Sequence, residues 1–158
     1  MPRYRTSKEV FESCQNDGFY KDQSEPDQKE VQTMINIGLA ILRQAQKLIP
    51  LTPQDSIDWT VIFTMQYDAL HQFTDAFLRF DSIKSNNHQC LFAYICEKHP
   101  ELEFDWGFLE EIRTKRNGVH YYGTPVSYTE WKKREVQINL YINTLKKTIE
   151  EKLKHAQE

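Results

Sequence analysis

The segment WTVIFTMQYDALHQFTDAFLRF, residues 59–80, decides the fold. Its large apolar residues recur at intervals of three, four and seven, which is the spacing of one face of an α-helix. Smaller apolar residues widen this face into a broad arc. The pattern predicts a long central helix, from about residue 55 to residue 80, that other helices bury. The face consists of Trp59, Ile62, Phe63, Leu70, Phe73, Phe77 and Phe80, widened by Met65, Ala69 and Ala76.

Helical patterns also occupy the sequence on both sides of this segment. One helix follows Ser24, its candidate N-cap, and a short helix covers about residues 88–98. A further helix begins at Asp105, a good N-cap residue. The last begins at Ser127 and Glu130, a capping-box pair, and continues almost to the end of the chain. No segment has a convincing strand pattern. The predicted fold is all-α: an up-and-down helical bundle of four main helices plus a short one.

The length of 158 residues fits one domain. Residues 1–25 are polar and without a period, so we predict a flexible N-terminal arm, with the helical bundle at residues 26–158. No apolar run approaches the ~20 residues that a membrane-spanning helix needs. The first ten residues lack an apolar signal core. We therefore expect a cytoplasmic protein that has no contact with membranes.

The charge excludes a general polyanion binder but leaves one basic region. The net charge is −3 for the whole chain. Residues 110–134, in contrast, contain six basic and three acidic side chains, and six minus three gives a local charge of +3. Any binding of a nucleic acid is therefore expected in this region.

The three cysteines, Cys14, Cys90 and Cys96, are an odd number and form no CxxC pair. This argues against a disulfide framework and against a structural zinc site. We expect free thiols, as in the cytosol. The sequence also has no glycine-rich phosphate loop and no nucleophile-elbow motif.

Three side chains in the middle of the chain are possible metal ligands by spacing alone. Asp68, His71 and Asp75 lie three and four residues apart, which is a spacing that metal ligands use. They fall opposite the Phe73–Phe77 face, where a solvated or dimer surface is the more common environment. His88 is expected to be a turn or capping residue. We predict no metal site and no cofactor.

The helix that begins at Asp105 has an arginine on its apolar side. Leu109, Ile112 and Arg116 share one face of this helix. Burial of a guanidinium without a partner is costly, so something must receive Arg116. Three structural explanations are open: a bond to the last carbonyls of the helix, a pair with an aspartate elsewhere, or extension to water.

The residues around Arg116 are also those that a phosphate site requires. A guanidinium binds phosphate through two parallel hydrogen bonds, and His120 can transfer a proton near neutral pH. Tyr121 and Tyr122 offer hydroxyls and ring faces for a base. This combination is typical of metal-independent phosphodiester chemistry on RNA, in which a 2′-hydroxyl attacks its neighbouring phosphate. The candidate catalytic residues are Arg116, His120 and Tyr121, and the candidate binding residues are Arg113, Arg116, Asn117, Tyr121 and Tyr122.

The sequence RNGVHYYG, residues 116–123, lies before the long last helix and resembles the signature of HEPN domains, in particular the prokaryotic small helical HEPN proteins. YDALHQFTDAF at 67–77 and IKSNNHQCLFAYI at 83–95 resemble other HEPN segments, and the likeness covers about residues 28–150. The resemblance implies a homodimer whose two arginine motifs face a shared cleft. It implies either a domain that binds RNA, a nucleotide or a partner protein, or an endoribonuclease toxin paired with a nucleotidyltransferase-like antitoxin.

The spacing of this motif departs from that of active HEPN ribonucleases, in which the histidine follows the arginine after four to six residues. After Arg116 that place belongs to Tyr121, and His120 comes one residue early. Arg113 has the required spacing to His120 but lacks the asparagine that follows Arg116. We favour Arg116–Asn117 as the motif pair, and we expect His120 to be out of line with Arg116. The expected function is therefore binding of RNA, a nucleotide or a protein by a HEPN-like dimer. A metal-independent endoribonuclease is the alternative, and a purely structural bundle is the third possibility.

Overall fold

A computed structural model of the chain describes residues 5–23 and 25–156, and the all-α class is confirmed there. Six α-helices and one small two-stranded sheet make up the described part of the chain. Short 3-10 turns at Ile49–Leu51 and Pro100–Leu102 follow the second and fourth helices. The elements are α1 (Ser7–Asn16), β1 (Lys21–Asp22), α2 (Gln28–Leu48), α3 (Trp59–Arg79), β2 (Ile83–Lys84), α4 (His88–Lys98), α5 (Trp106–Tyr122) and α6 (Tyr128–Ala156).

The helix α3 is central, as its sequence predicts. It packs against α2, α4, α5 and α6, and most of its apolar face is buried. Close approach of α2 depends on Gly38, because a Cβ atom there would lie 2.7 Å from Cε2 of Phe73. Met65 and Phe80, at the edges of the predicted face, are half-buried. The arrangement places one side of α3 against the helix that contains the arginine motif.

The ends of α5 and α6 follow the predicted capping chemistry. The carboxylate of Asp105 accepts a hydrogen bond of 3.0 Å from the Phe108 N–H. At the start of α6, the Glu130 N–H donates to Ser127 Oγ at 3.2 Å, as in a capping box. Gly123 ends α5 with a φ of +63°, a conformation that glycine adopts without strain.

The structure corrects the prediction of a flexible arm at residues 1–25. Ser7–Asn16 form the helix α1, which Thr6 caps by accepting a hydrogen bond of 3.1 Å from the Glu9 N–H. Val10 is fully buried in this helix. The segment is polar overall, so its one apolar stripe is too short to be recognised without the helix α4 that covers it. Residues 1–4 lie outside the described part of the chain, as does the predicted cap Ser24; Asp27 caps α2.

The prediction of free thiols is wrong for two of the three cysteines. Cys14 of α1 and Cys90 of α4 form a disulfide with a Cα–Cα distance of 5.8 Å, and Cys96 is free and half-buried. The two partners are 76 residues apart in sequence. Only tertiary packing brings them together, so their spacing gave no signal. Disulfides persist mainly in oxidising compartments, so the predicted cytoplasmic location loses the support of free thiols.

The described residues also include a short antiparallel pairing that the sequence did not indicate. Lys21 of β1 lies opposite Lys84 of β2, and Asp22 lies opposite Ile83. Each strand has two residues, too few for an alternating pattern. Within 5–23 and 25–156, no helix is both long and apolar enough to span a membrane.

Candidate functional site

The helix α5 continues without a break through the arginine motif to Tyr122. Arg116 and His120 therefore lie about one turn apart on the same side of the helix. Thr124 and Gly123 close the helix, and the Thr124 N–H donates a hydrogen bond of 3.0 Å to the carbonyl oxygen of Gly118. The motif is thus a regular helical surface rather than a loop.

Arg116 is half-buried and extends over the ring of Tyr67 on α3. The distance from its Cζ to the ring centroid is 5.7 Å, which is the range of a cation–π interaction. Its Nε is buried and has no hydrogen-bond partner. In the described part of the chain, Arg116 has neither a carboxylate nor a helix carbonyl as a partner. Two of the three structural explanations for this arginine therefore do not apply.

Three other cations near the motif are paired with carboxylates. Arg113, for example, binds Glu110 through Nε and Nη2 at 2.8 and 3.0 Å, and Glu110 is buried. Because such pairs neutralise the charge of the cation locally, they leave Arg116 as the motif arginine with a free guanidinium. The three pairs are Arg113–Glu110, Lys115–Glu130 and Arg134–Glu111.

Asp68 on α3 lies within electrostatic reach of both Arg116 and His120. Burial raises the pKa of the Asp68 carboxyl, while the positive charges of Arg116 and then His120 act to lower it. His120 is exposed at its position one turn after Arg116. Arg116 and His120 therefore face the same region of α3, without a direct ion pair to Asp68 among the described residues.

This placement corrects the expectation that His120 is out of line with Arg116. Each helical residue turns the side chain by about 100°, so four residues return it to within about 40° of its start. Five residues leave Tyr121 about 140° away. Tyr121 and Tyr122 are 72% and 83% exposed. His120, rather than Tyr121, shares the side of Arg116. Asn117, the remaining candidate, is half-buried next to Arg116 in sequence.

A stacked pair of imidazoles lies beside Arg116. The rings of His71 on α3 and His88 at the start of α4 have centroids 3.9 Å apart and are inclined by 24°. Nδ1 of His88 is 3.0 Å from the hydroxyl oxygen of Tyr67. His71 Nε2 is buried and has no hydrogen-bond partner within residues 5–23 and 25–156. The pair extends the polar region around Arg116 into the bundle.

Both imidazoles are neutral at neutral pH. Burial lowers the pKa of His71 to about 3, helped by the charges of His88 and Arg116. Burial likewise lowers the pKa of His88 to about 4, helped by Arg116 and Arg113. A neutral imidazole has one N–H donor and one acceptor nitrogen. We refer to Tyr67, Asp68, His71, His88, Arg116 and His120 together as the Arg116 site.

Sequence reasoning missed most of this arrangement. It assigned Asp68, His71 and Asp75 to a solvated or dimer surface, but the first two face Arg116 and are half-buried. Asp75 lies instead beside Arg79, with Oδ1 3.7 Å from Nε. No group of three or more metal-binding side chains occurs in the described residues. The available signal was that His71 follows Tyr67 by four residues and Asp68 by three, so one edge of α3 contains all three.

No protein-family model matches this chain, and neither a curated protein nor a solved structure matches it. The resemblance to HEPN domains therefore depends on the motif residues alone. Considered by its chemistry, the Arg116 site combines a guanidinium that has no ion pair among the described residues with three imidazoles, a phenol and the carboxyl group of Asp68. Such a set can bind an anion and supply or accept a proton beside it.

Proposed function

We propose that the Arg116 site binds a phosphate group of single-stranded RNA, in a helical domain of the HEPN type. The observation that supports this most strongly is the half-buried guanidinium of Arg116, which has no carboxylate partner in the described part of the chain. A desolvated cation attracts an anion more strongly than one in water, since the surrounding dielectric is lower. The planar fork of arginine suits phosphate oxygens in particular.

RNA is favoured over a free nucleotide by the aromatic side chains that follow Arg116. Tyr121 and Tyr122 are largely exposed at the end of α5, where neither ring is needed for the core. The helical period turns both rings by more than about 100° from Arg116, so a strand of several nucleotides that follows the end of α5 is the ligand that could stack unpaired bases on them. Binding of a free nucleotide through a single phosphate is the alternative within the same proposal.

The motif residues 116–123 are also the basis for proposing a HEPN-like homodimer. In that arrangement two copies of Arg116 would face one cleft, and each 18.9 kDa chain would contribute one half of the site. A credible two-fold interface buries at least about 1,000 Å² in total. Light scattering tests this directly, because a stable monomer at micromolar concentration would contradict the dimer.

A second candidate function is metal-independent cleavage of RNA. It is favoured by one observation, namely that His120 and Arg116 both act on Asp68 from the same side of α5. In this reaction the 2′-hydroxyl loses its proton and attacks the adjacent phosphorus, and the bond from phosphorus to the 5′-oxygen breaks. The products are a 2′,3′-cyclic phosphate and a 5′-hydroxyl, which gains a proton.

Each residue of the second candidate has a specific role. His120 would take the proton from the 2′-hydroxyl or give one to the leaving 5′-oxygen. Arg116 would stabilise the extra negative charge on the pentavalent phosphorus. A nucleotidyltransferase-like antitoxin is a proposed partner only for this ribonuclease version.

The two candidates are separated by one experiment with a short fluorescein-labelled oligouridylate in the presence of EDTA. Anisotropy measures binding, and gel electrophoresis of the same samples measures cleavage. Binding by the wild type that Arg116→Gln weakens supports the phosphate site. Absence of binding by the wild type, or undiminished binding by Arg116→Gln, would overturn it. Cleavage that His120→Ala abolishes while binding persists would establish the ribonuclease.

A further inference from the structure

Two buried nitrogen atoms of the Arg116 site have no hydrogen-bond partner among the described residues. They are Nε2 of His71 and Nε of Arg116. A buried donor or acceptor without a partner costs free energy, and native proteins keep few of them. Of the other cases in the described residues, Asp75 and Arg79 face each other, and Gln66 lies in the apolar core with its Oε1 accepting a bond from Trp131. His71 and Arg116 have no such explanation.

These two nitrogen atoms belong to neighbouring side chains on different helices. A series of contacts links them: Arg116 lies 5.7 Å from the centroid of the Tyr67 ring, the Tyr67 hydroxyl is 3.0 Å from His88 Nδ1, and the His88 ring stacks on His71 at 3.9 Å. The positive charge of Arg116 also acts to lower the pKa of His71. A guanidinium has only hydrogen-bond donors. If Arg116 and His71 bind the same acceptor, the His71 nitrogen that faces it is therefore also a donor. An acceptor with several oxygens, such as a phosphate, satisfies both.

We infer that the Nε2–H of His71, held by its stack on His88, donates a hydrogen bond to an oxygen of the phosphate group that Arg116 binds. This inference rests on the proposed function and extends it by assigning a binding role to His71 and a positioning role to His88. The ligand class is a phosphate oxygen, from inorganic phosphate or from an RNA backbone.

The stack fixes the orientation of the His71 ring. The His88 ring lies 3.9 Å from the His71 ring, and Tyr67 fixes His88 through the contact of 3.0 Å between its hydroxyl oxygen and Nδ1. Tyr67 is itself fully buried and lies beneath the guanidinium of Arg116. Tyr67 therefore contacts both Arg116 and His88, the second of which holds the His71 ring.

Neutrality of the two imidazoles suits this role. Two protonated rings in a stack would repel each other and the Arg116 cation, which is why burial and these charges favour the neutral forms. The charged and titratable groups around the stack are Tyr67 and Asp68 from α3, and Glu110, Arg113, Arg116 and His120 from α5. A bound phosphate provides the acceptor that none of these groups supplies to His71.

The test compares His71→Phe with His71→Gln. Phenylalanine keeps a flat ring against His88 but has no donor, whereas glutamine keeps an amide N–H at a similar reach. Binding of inorganic phosphate and of the short labelled oligouridylate is measured for both variants. We expect His71→Phe to lose about tenfold or more in affinity, the usual effect of removing a hydrogen bond to a charged group. His71→Gln should retain most of the affinity.

Thr74→Val is the matched control, because Thr74 is a buried polar residue of α3 that bonds only its own helix, at Leu70. It should bind like the wild type. Each protein is also checked by denaturant unfolding, where His71→Phe should be no less stable, since it removes an unpartnered donor. In the wild type, added phosphate should shift the ¹⁵N signal of His71 Nε2.

The outcomes separate this inference from the proposed function. Affinity of His71→Phe equal to that of the wild type, together with a loss in Arg116→Gln, overturns the inference alone. Equal losses in His71→Phe and His71→Gln would show that an N–H donor at this position does not restore binding, and would also overturn it. A wild type that binds neither phosphate nor RNA overturns both proposals.

Discussion

The guanidinium of Arg116 lies over the ring of Tyr67, with 5.7 Å between Cζ and the ring centroid. The Tyr67 hydroxyl in turn contacts His88, so side chains from α5, α3 and α4 meet at this point. The charge of Arg116 is thereby held in position without being neutralised by a carboxylate in the described residues. A fixed, unneutralised cation is what an anionic ligand requires.

Arg113 and Arg116 should differ in their effects on stability. Arg113→Ala leaves the buried carboxylate of Glu110 without its cation, although Gln89 still donates to it at 2.9 Å. We expect a loss of about 3 kcal/mol in the free energy of unfolding, at the low end for a broken buried pair. Arg116→Ala removes no ion pair, so its effect should stay within about 1 kcal/mol.

Denaturant unfolding of the two variants measures this difference. Similar losses for Arg113→Ala and Arg116→Ala would contradict the assignment of different roles. A large loss for Arg116→Ala alone would show that this arginine serves the fold rather than a ligand.

The Cys14–Cys90 disulfide should stabilise the fold substantially. It closes a loop with a sequence separation of 76 residues, for which chain-entropy arguments give about 4 kcal/mol. The expected result for Cys14→Ser is a lower unfolding midpoint, and a reducing agent should have the same effect on the wild type but none on the variant. Unchanged stability of the reduced wild type would mean that packing of α1 on α4 suffices without the disulfide.

The fold was predictable because its main signals are local. The apolar face of residues 59–80, the Asp105 cap and the Ser127–Glu130 capping box each lie within a few turns of helix. The position of Arg116 after the stripe of Leu109 and Ile112 likewise indicated a special site.

The rest depends on contacts between distant segments. The disulfide, the docking of α1 and the stack of His71 on His88 each join residues from separate elements. The His120 position was wrongly anticipated for a different reason. We took its spacing from the family pattern rather than from the helical period, which places residue 120 beside residue 116.

The two buried histidines should make the fold sensitive to acid. The pKa values of His71 and His88 are about 3 and about 4 in the folded protein, against the ordinary 6.5. Between the folded values and 6.5, the unfolded chain therefore binds more protons than the folded protein. Stability therefore rises with pH across this window. The part of the free energy of unfolding that depends on the neutral histidines is complete above about pH 6.5 and is lost as the pH falls toward 3.

Comparison with His71→Phe isolates this effect from other groups. Asp68 has a raised pKa and acts in the opposite direction, because its folded form holds a proton more tightly. Unfolding free energies at a series of pH values should fall more steeply for the wild type than for His71→Phe on acidification. Identical pH dependence in the two proteins would contradict the neutral, buried state of His71.

The most direct test of the account is the salt dependence of RNA binding in Arg116→Gln, with Arg134→Gln as the matched control. Arg134 is already paired with Glu111, so its loss should change neither the affinity nor the slope of log K against log salt concentration. Loss of one phosphate contact should reduce the slope by about 0.7 for a single strand. The account predicts this reduction, with weaker binding, for Arg116→Gln alone. The same slope and affinity in Arg116→Gln as in the wild type would contradict it.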